Sequence, residues 1–253
     1  MNAFFLALKS LLKLGAFFSL RGVRVEKLRL PVIAVNFKVY ETSVGANALS
    51  LAKTLSAVAK KQKASILFCV SATDIAHVSA KSKFPVFAQH VDGVSFGAHT
   101  GSIPVALIKE AGAAGSLINH SEKRISHDEI KSAIDALRVQ GLLSMVCAKD
   151  AHEAKDLAHL NPDYIAVEPP ELIGGDVSVT TADPKVIRDT LWLVHEVSGD
   201  TGVLCGAGVK TADDVRTALE FGCCGVLLAS GITKVEDPAK ALDEMIAGLQ
   251  SRG

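Results

Sequence analysis

Residues 163–170, Asp-Tyr-Ile-Ala-Val-Glu-Pro-Pro, form a short apolar run that ends on a carboxylate and two prolines. Proline has no N–H to give a strand ladder, so the run stops at Glu168. Its unbroken apolarity suits a strand of parallel sheet covered on both faces rather than a half-exposed strand with alternating polar residues. Seven other runs share this character: PVIAVN from Pro31, ASILFCV from Ala64, FPVFAQ from Phe84, GSLIN from Gly115, LLSMVC from Leu142, GVLCG from Gly202 and CGVLLAS from Cys224.

Amphipathic segments fill the intervals, including ALSLAKTLSAVAKK after Ala48, PVALIKEAG after Pro104, HDEIKSAIDALRVQG after His127, ADDVRTALEFG after Ala212 and PAKALDEMIAGL after Pro238. Their ends are written in the sequence. Thr211 precedes an acidic first turn (Asp213, Asp214) and Gly222 follows that helix, while Asp237 and Pro238 make a cap and a first helical residue. Eight strand–helix units predict a (β/α)8 barrel in one domain, residues 28–253, behind an N-terminal extension, residues 1–27. The count also fits a doubly wound open sheet, but no G-x-G-x-x-G turn follows the first strand, which favours the barrel.

The 253 residues are 49% hydrophobic and carry 27 cationic and 27 anionic side chains, enough to bury one large core. No basic stripe or aromatic–cationic alternation points to nucleic acid, so the expected partner is a small molecule. Cys69, Cys147, Cys205, Cys223 and Cys224 lie in or beside apolar runs without C-x-x-C spacing, and read as reduced core thiols of an intracellular, cytoplasmic protein. The eight histidines form no ligand pattern, so no metal is expected.

The extension, MNAFFLALKSLLKLGAFFSLRGVRVEK, is unusually apolar. Lys9 and Lys13 interrupt it and no A-x-A site follows, so secretion is not expected, and its uncharged runs are too short to span a bilayer. Lys9, Ser10 and Lys13 fall opposite Phe4, Leu8, Leu11 and Leu12 on a helical projection, which fits a short amphipathic helix docked on the barrel, a partner or a membrane surface. An unstructured tail, or a natural start that lies further downstream, fits at least as well, and membrane contact of residues 1–27 is not expected.

In a parallel barrel the C-terminal strand ends converge on one mouth. Strand one ends Asn36-Phe37-Lys38, strand four Asn119-His120-Ser121-Glu122, and strand six Val167-Glu168-Pro169-Pro170. A cation, an imidazole and a carboxylate therefore meet there, a set suited to moving a proton. Taken singly, each also reads as an ordinary strand-end polar group. Glycine-rich segments after strands six, seven and eight (Gly174, Gly208, Ser230, Gly231) offer free backbone N–H groups to a phosphate.

N-F-K, N-H-S-E-K-R, V-E-P-P-E-L-I-G, C-G-A-G and L-L-A-S-G, in this order and at these strand ends, resemble triosephosphate isomerase, especially its archaeal branch. The resemblance runs from about Pro31 to Leu249 and implies a TIM barrel that interconverts dihydroxyacetone phosphate and glyceraldehyde 3-phosphate without a cofactor. It implies Glu168 as the base, His120 as the group that polarises the carbonyl, and Lys38 with Asn36 as binders of the anionic substrate. Ile173, Gly174, Gly208, Ser230 and Gly231 would contact the substrate, chiefly its phosphate. Glu122 either assists Lys38 and His120 electrostatically or only fixes the loop.

Residues 169–179 resemble the family's closing lid, but Gly175 and Asp176 stand where the archaeal pattern has I-G-T-G, so altered closure with retained chemistry is expected. A-H-T-G around Thr100 resembles the loop that crosses to a neighbouring subunit. A homo-oligomer follows, a tetramer from the archaeal-type resemblance or a dimer. Two other readings stay open: a different phosphate-binding barrel, which would not need Lys38, His120 and Glu168 together, and a barrel kept as a binding scaffold.

Overall fold

The computed structural model describes residues 27–169 and 184–250. Residues 1–26 of the extension and the segment with Ile173, Gly174, Gly175 and Asp176 lie outside the described residues. Eight parallel strands close into a barrel in sequence order: β1 (Val32–Asn36), β2 (Ser65–Val70), β3 (Val86–Ala88), β4 (Gly115–Ile118), β5 (Leu143–Ala148), β6 (Tyr164–Val167), β7 (Gly202–Cys205) and β8 (Gly225–Leu228). β1 pairs with both β2 and β8, which closes the ring and decides against the open sheet. Each strand falls on one of the apolar runs read from the sequence, with β5 extending one residue past its run, to Ala148.

The helices follow as α1 (Ala46–Gln62), α2 (Ile75–Ser79), α3 (Val105–Glu110), α4 (His127–Gln140), α5 (Ala151–Ala158), α6 (Pro184–Val197), α7 (Ala212–Glu220), α8 (Ser230–Thr233) and α9 (Pro238–Gln250). The caps take the expected forms. Thr211 and Asp214 form a reciprocal capping box on α7, and Asp237 Oδ1 accepts from Lys240 N–H at 3.0 Å at the start of α9. A second box, Ser126 with Glu129, opens α4. Such caps each contribute about 1 kcal/mol.

Strand alternation divides the core in two. Val32 and Ala34 of β1 point into the barrel with Leu67, Cys69, Phe87, Leu117, Met145, Cys147 and Leu204, whereas Ile33 and Val35 point outward against the helices. Both faces are dry, which is why the strands lack polar alternation. Leu28 closes the end away from the mouth, and its N–H donates to Tyr164 Oη at 3.2 Å. At the mouth end, His99, Thr100 and Gly101 are exposed beyond β3.

Candidate active site

β1 delivers Asn36 to the mouth almost fully buried, and Lys38 follows with φ of 52°. A left-handed conformation costs a non-glycine residue about 1–2 kcal/mol, so other bonds must hold it. Lys38 N–H donates to Asn36 Oδ1 at 3.0 Å. Gln89, just past β3, donates its Nε2 to Lys38 O at 2.9 Å and to Asn36 Oδ1 and Cys69 O at 3.3 Å. The lysine side chain, 10% exposed, reaches Glu122 with Nζ 2.9 Å from Oε1. Glu122 is itself 58% exposed, so solvent weakens that pair.

β4 is followed by a second left-handed residue, Asn119, with φ of 60°. Its Nδ2 donates to Cys147 O at 3.0 Å and its Oδ1 accepts from Ile125 N–H at 3.2 Å, so one buried amide ties the start and end of the following loop to β5. Arg124 reinforces this tie, with Nη1 3.3 Å from Cys147 O and 3.1 Å from Glu153 Oε2. His120 is thereby fixed, and its Nδ1 accepts the Glu122 backbone N–H at 3.2 Å. An imidazole that accepts at Nδ1 carries its proton on Nε2. Burial, then the nearby Lys38 charge, pushes the His120 pKa down to about 4, with Glu122 opposing, so the ring is neutral at neutral pH.

Glu168 follows β6, and its N–H donates to Ala148 O at 2.7 Å. The residue is 3% exposed, and its Oε1 lies 3.5 Å from His120 Nε2. Burial pushes its pKa up to about 7, while a hydrogen bond from the Cys147 thiol and the charges of Lys38 and Arg124 pull the other way. Oε2 accepts no hydrogen bond among the described residues. Gly206 after β7 makes room for this carboxylate: a Cβ there would stand 2.6 Å from Glu168 Cγ.

One cavity joins these groups to the turns after β7 and β8. Asn36, Lys38, His120 and Glu168 form one side, and Gly206, Gly208, Ala229 and Ser230 the other. Gly208 has φ of 69°, a turn conformation that glycine adopts without strain. Gly231 stands behind Ser230 in the first turn of α8, where a Cβ would press within 3.2 Å of Val209 O. A cavity with backbone-rich turns on one side and a carboxylate, a neutral imidazole and an ammonium on the other suits proton transfer within an anionic substrate.

The family model of triosephosphate isomerase matches residues 31–246. The chain belongs to the triosephosphate isomerase family. Among similar triosephosphate isomerases, that of Methanothermus fervidus is 44% identical over 216 residues, covering 85% of this chain and 97% of the relative. That of Archaeoglobus fulgidus is 43% identical over 218 residues, 86% and 98% of the two chains. The solved triosephosphate isomerase of Bartonella henselae superposes with a TM-score of 0.66 at 22% identity, covering 85% of this chain and 98% of that one, which supports the shared fold.

For a member of this family, the structure brings Asn36, Lys38, His120, Glu168, Gly208 and Ser230 to one cavity, with Glu122 attached through Lys38. Ile173 and Gly174, expected in the lid, fall outside the described residues. Gln89, Asn119, Arg124 and Gly206 also build the site, without having been expected from the sequence. A signal for Gln89 is present there, since it ends an apolar run as Asn36 and Glu168 do. Gly206 is marked only as the first glycine of C-G-A-G, and its role as a spacer for Glu168 emerges only when β6 and β7 lie side by side.

Proposed function

We propose that the chain interconverts dihydroxyacetone phosphate and D-glyceraldehyde 3-phosphate through an enediolate, with Glu168, His120 and Lys38 as the catalytic groups. The observation that carries the reading is the Glu168–His120–Lys38 set itself: a desolvated carboxylate with one unpartnered oxygen, beside a neutral imidazole and an ammonium. Glu168 takes a proton from the carbon beside the carbonyl and returns it to the neighbouring carbon. His120 Nε2–H polarises the carbonyl and moves protons between the two oxygens. Triosephosphate isomerase is itself the familiar worked case of this division between a carboxylate base and a neutral histidine electrophile. Lys38, with Asn36 beside it, steadies the negative charge that develops on oxygen.

The phosphate is proposed to sit on backbone N–H groups of Gly208, Ser230 and Gly231, with Ile173 and Gly174 joining from the lid. Residues 28–253 then act as one catalytic domain carrying the extension 1–27, in the cytoplasm and in glycolysis or gluconeogenesis. Glu122 is assigned the electrostatic role, because its carboxylate touches Lys38 and lies 3.7 Å from His120 Nδ1. The exposed His99–Gly101 loop supports self-association, as a tetramer or a dimer.

The direct test incubates the protein with dihydroxyacetone phosphate in deuterated water. Glyceraldehyde 3-phosphate carrying carbon-bound deuterium is expected. Glu168→Asp should slow turnover by roughly 100-fold or more with the fold intact, because the shorter arm misplaces the base by about an ångström. Full activity in that variant would remove Glu168 from the mechanism.

A further inference from the structure

α8 is a single turn of four residues, and a helix that short does not hold its own shape in water. Its first two residues, Ser230 and Gly231, are the ones that would give their N–H groups to the substrate phosphate. Those groups have no carbonyl one turn earlier to bond, so their direction is set by whatever fixes the turn from outside. α9 and the turn after β7 do so on one side: a Cβ on Gly231 would meet Met245 Cε at 3.1 Å and Val209 O at 3.2 Å.

On the other side the contacts come from the chain just after Lys38. Thr42 Oγ1 donates to Thr233 O at 2.7 Å, which satisfies a carbonyl that the end of a helix cannot pair for itself. Lys234, the residue that closes α8, holds its Nζ 4.2 Å from the centroid of the Tyr40 ring. An ammonium at that distance is attracted by the negative face of the ring. Lys234 has no carboxylate partner among the described residues, which leaves Tyr40 as its electrostatic contact. Tyr40 also lines the active-site cavity together with Lys38 and Ser230.

The β1 side of this clasp is itself anchored. Glu41–Ser43 form a 3-10 turn, in which Ser43 is buried and donates its hydroxyl to Phe37 O. The Gly45 N–H donates to Asp74 Oδ2 at 3.0 Å, and Asn47 Nδ2 donates to Glu41 O at 2.8 Å. Tyr40 and Thr42 therefore reach α8 from a turn tied to the end of β1 and to the segment after β2.

We propose that Tyr40, Thr42 and Lys234 are positioning residues for the substrate phosphate: their clasp fixes the N–H groups of Ser230 and Gly231 at a set distance from the Lys38 ammonium. A phosphorylated triose then meets both ends of the site at once. The inference rests on the isomerase reading for its substrate, and none of the three residues acts on the reacting carbons. Phosphate is held alike in the ground and transition states, so loosening the clasp raises KM and spares kcat.

Steady-state kinetics with D-glyceraldehyde 3-phosphate, joined to calorimetric titration with inorganic phosphate, test this. Thr42→Val keeps the shape of an exposed side chain and removes its donor. It should raise KM roughly 10-fold, weaken phosphate binding by a similar factor and leave kcat within about twofold. Tyr40→Leu and Lys234→Gln each remove one half of the ring contact and should shift both constants roughly 3-fold. Thr42→Ser, Tyr40→Phe and Lys234→Arg keep the groups that the clasp uses and should match the parent. Turnover of D-glyceraldehyde, the same triose without its phosphate, should be unchanged throughout. The proposal is overturned if Thr42→Val and Tyr40→Leu bind phosphate as tightly as the parent, or if they slow D-glyceraldehyde as much as its phosphate. A parent that binds phosphate but isomerises neither triose would sink the reaction alone, and the phosphate constants of the variants would still decide for or against the clasp.

Discussion

Gly206→Ala tests whether the position of Glu168 depends on a glycine in the next strand's turn. The added Cβ would stand 2.6 Å from Glu168 Cγ and 3.0 Å from Val167 O. The first contact is roughly an ångström inside ordinary carbon–carbon separation. Gly206 does not have positive φ, so alanine fits its backbone and the effect falls on the neighbour. Glu168 must then retreat, or the end of β7 must move away from β6. Misplacing a base by about an ångström costs roughly 100-fold in rate, and overpacking costs about 1–3 kcal/mol of stability. Steady-state kinetics with each triose phosphate should therefore show a kcat lowered roughly 100-fold with KM little changed, and thermal melting a modest loss. Gly199→Ala, where a Cβ meets nothing within 4 Å, is the control and should leave both unchanged. A Gly206→Ala enzyme with the parent kcat would show that Glu168 keeps its place without the glycine.

Burial holds the Glu168 pKa at about 7, so kcat/KM of the free enzyme should fall as pH drops below that value, read from a pH–rate profile. A raised carboxyl pKa gives stability that is full below the unfolded value and lost as pH rises through the folded one. Glu168→Gln should thus gain on the parent above about pH 7, by about 3 kcal/mol at most, and the gain should vanish below about pH 4.5 in urea titrations. Gln89→Leu removes the donor that reaches Lys38 O and Asn36 Oδ1, and should lower kcat/KM roughly 10-fold by loosening Lys38, with substrate titration as the check. Asn119→Ala loses two buried bonds at a left-handed residue and should cost about 2–4 kcal/mol, measured by denaturant unfolding.

Much of the barrel is legible in the sequence because its strands are buried on both faces. A run such as Ile165-Ala166-Val167 needs no partner to show that it is apolar throughout, and the observed β6 contains it. Helix ends are legible where a side chain bonds its own backbone, as at Thr211 and Asp237. Strand-end chemistry is legible for the same local reason: Lys38, His120 and Glu168 each follow an apolar run. The short α8 reads only as a glycine-bearing turn, because four residues carry no helical period.

Periodicity, caps and the order of chemically active strand ends are properties of the chain alone, because each depends on residues within one turn or one strand. How those ends act on one another is settled by the closed barrel. Pairing of β1 with β8 sets Lys38, His120 and Glu168 around one cavity, and burial there raises one pKa and lowers another. Closure also makes Gly206 a spacer for Glu168 and Gln89 a clamp on Lys38, and it sets Thr42 against Thr233. Those are contacts between segments distant in sequence, and desolvation has no value until the surrounding chain has excluded water.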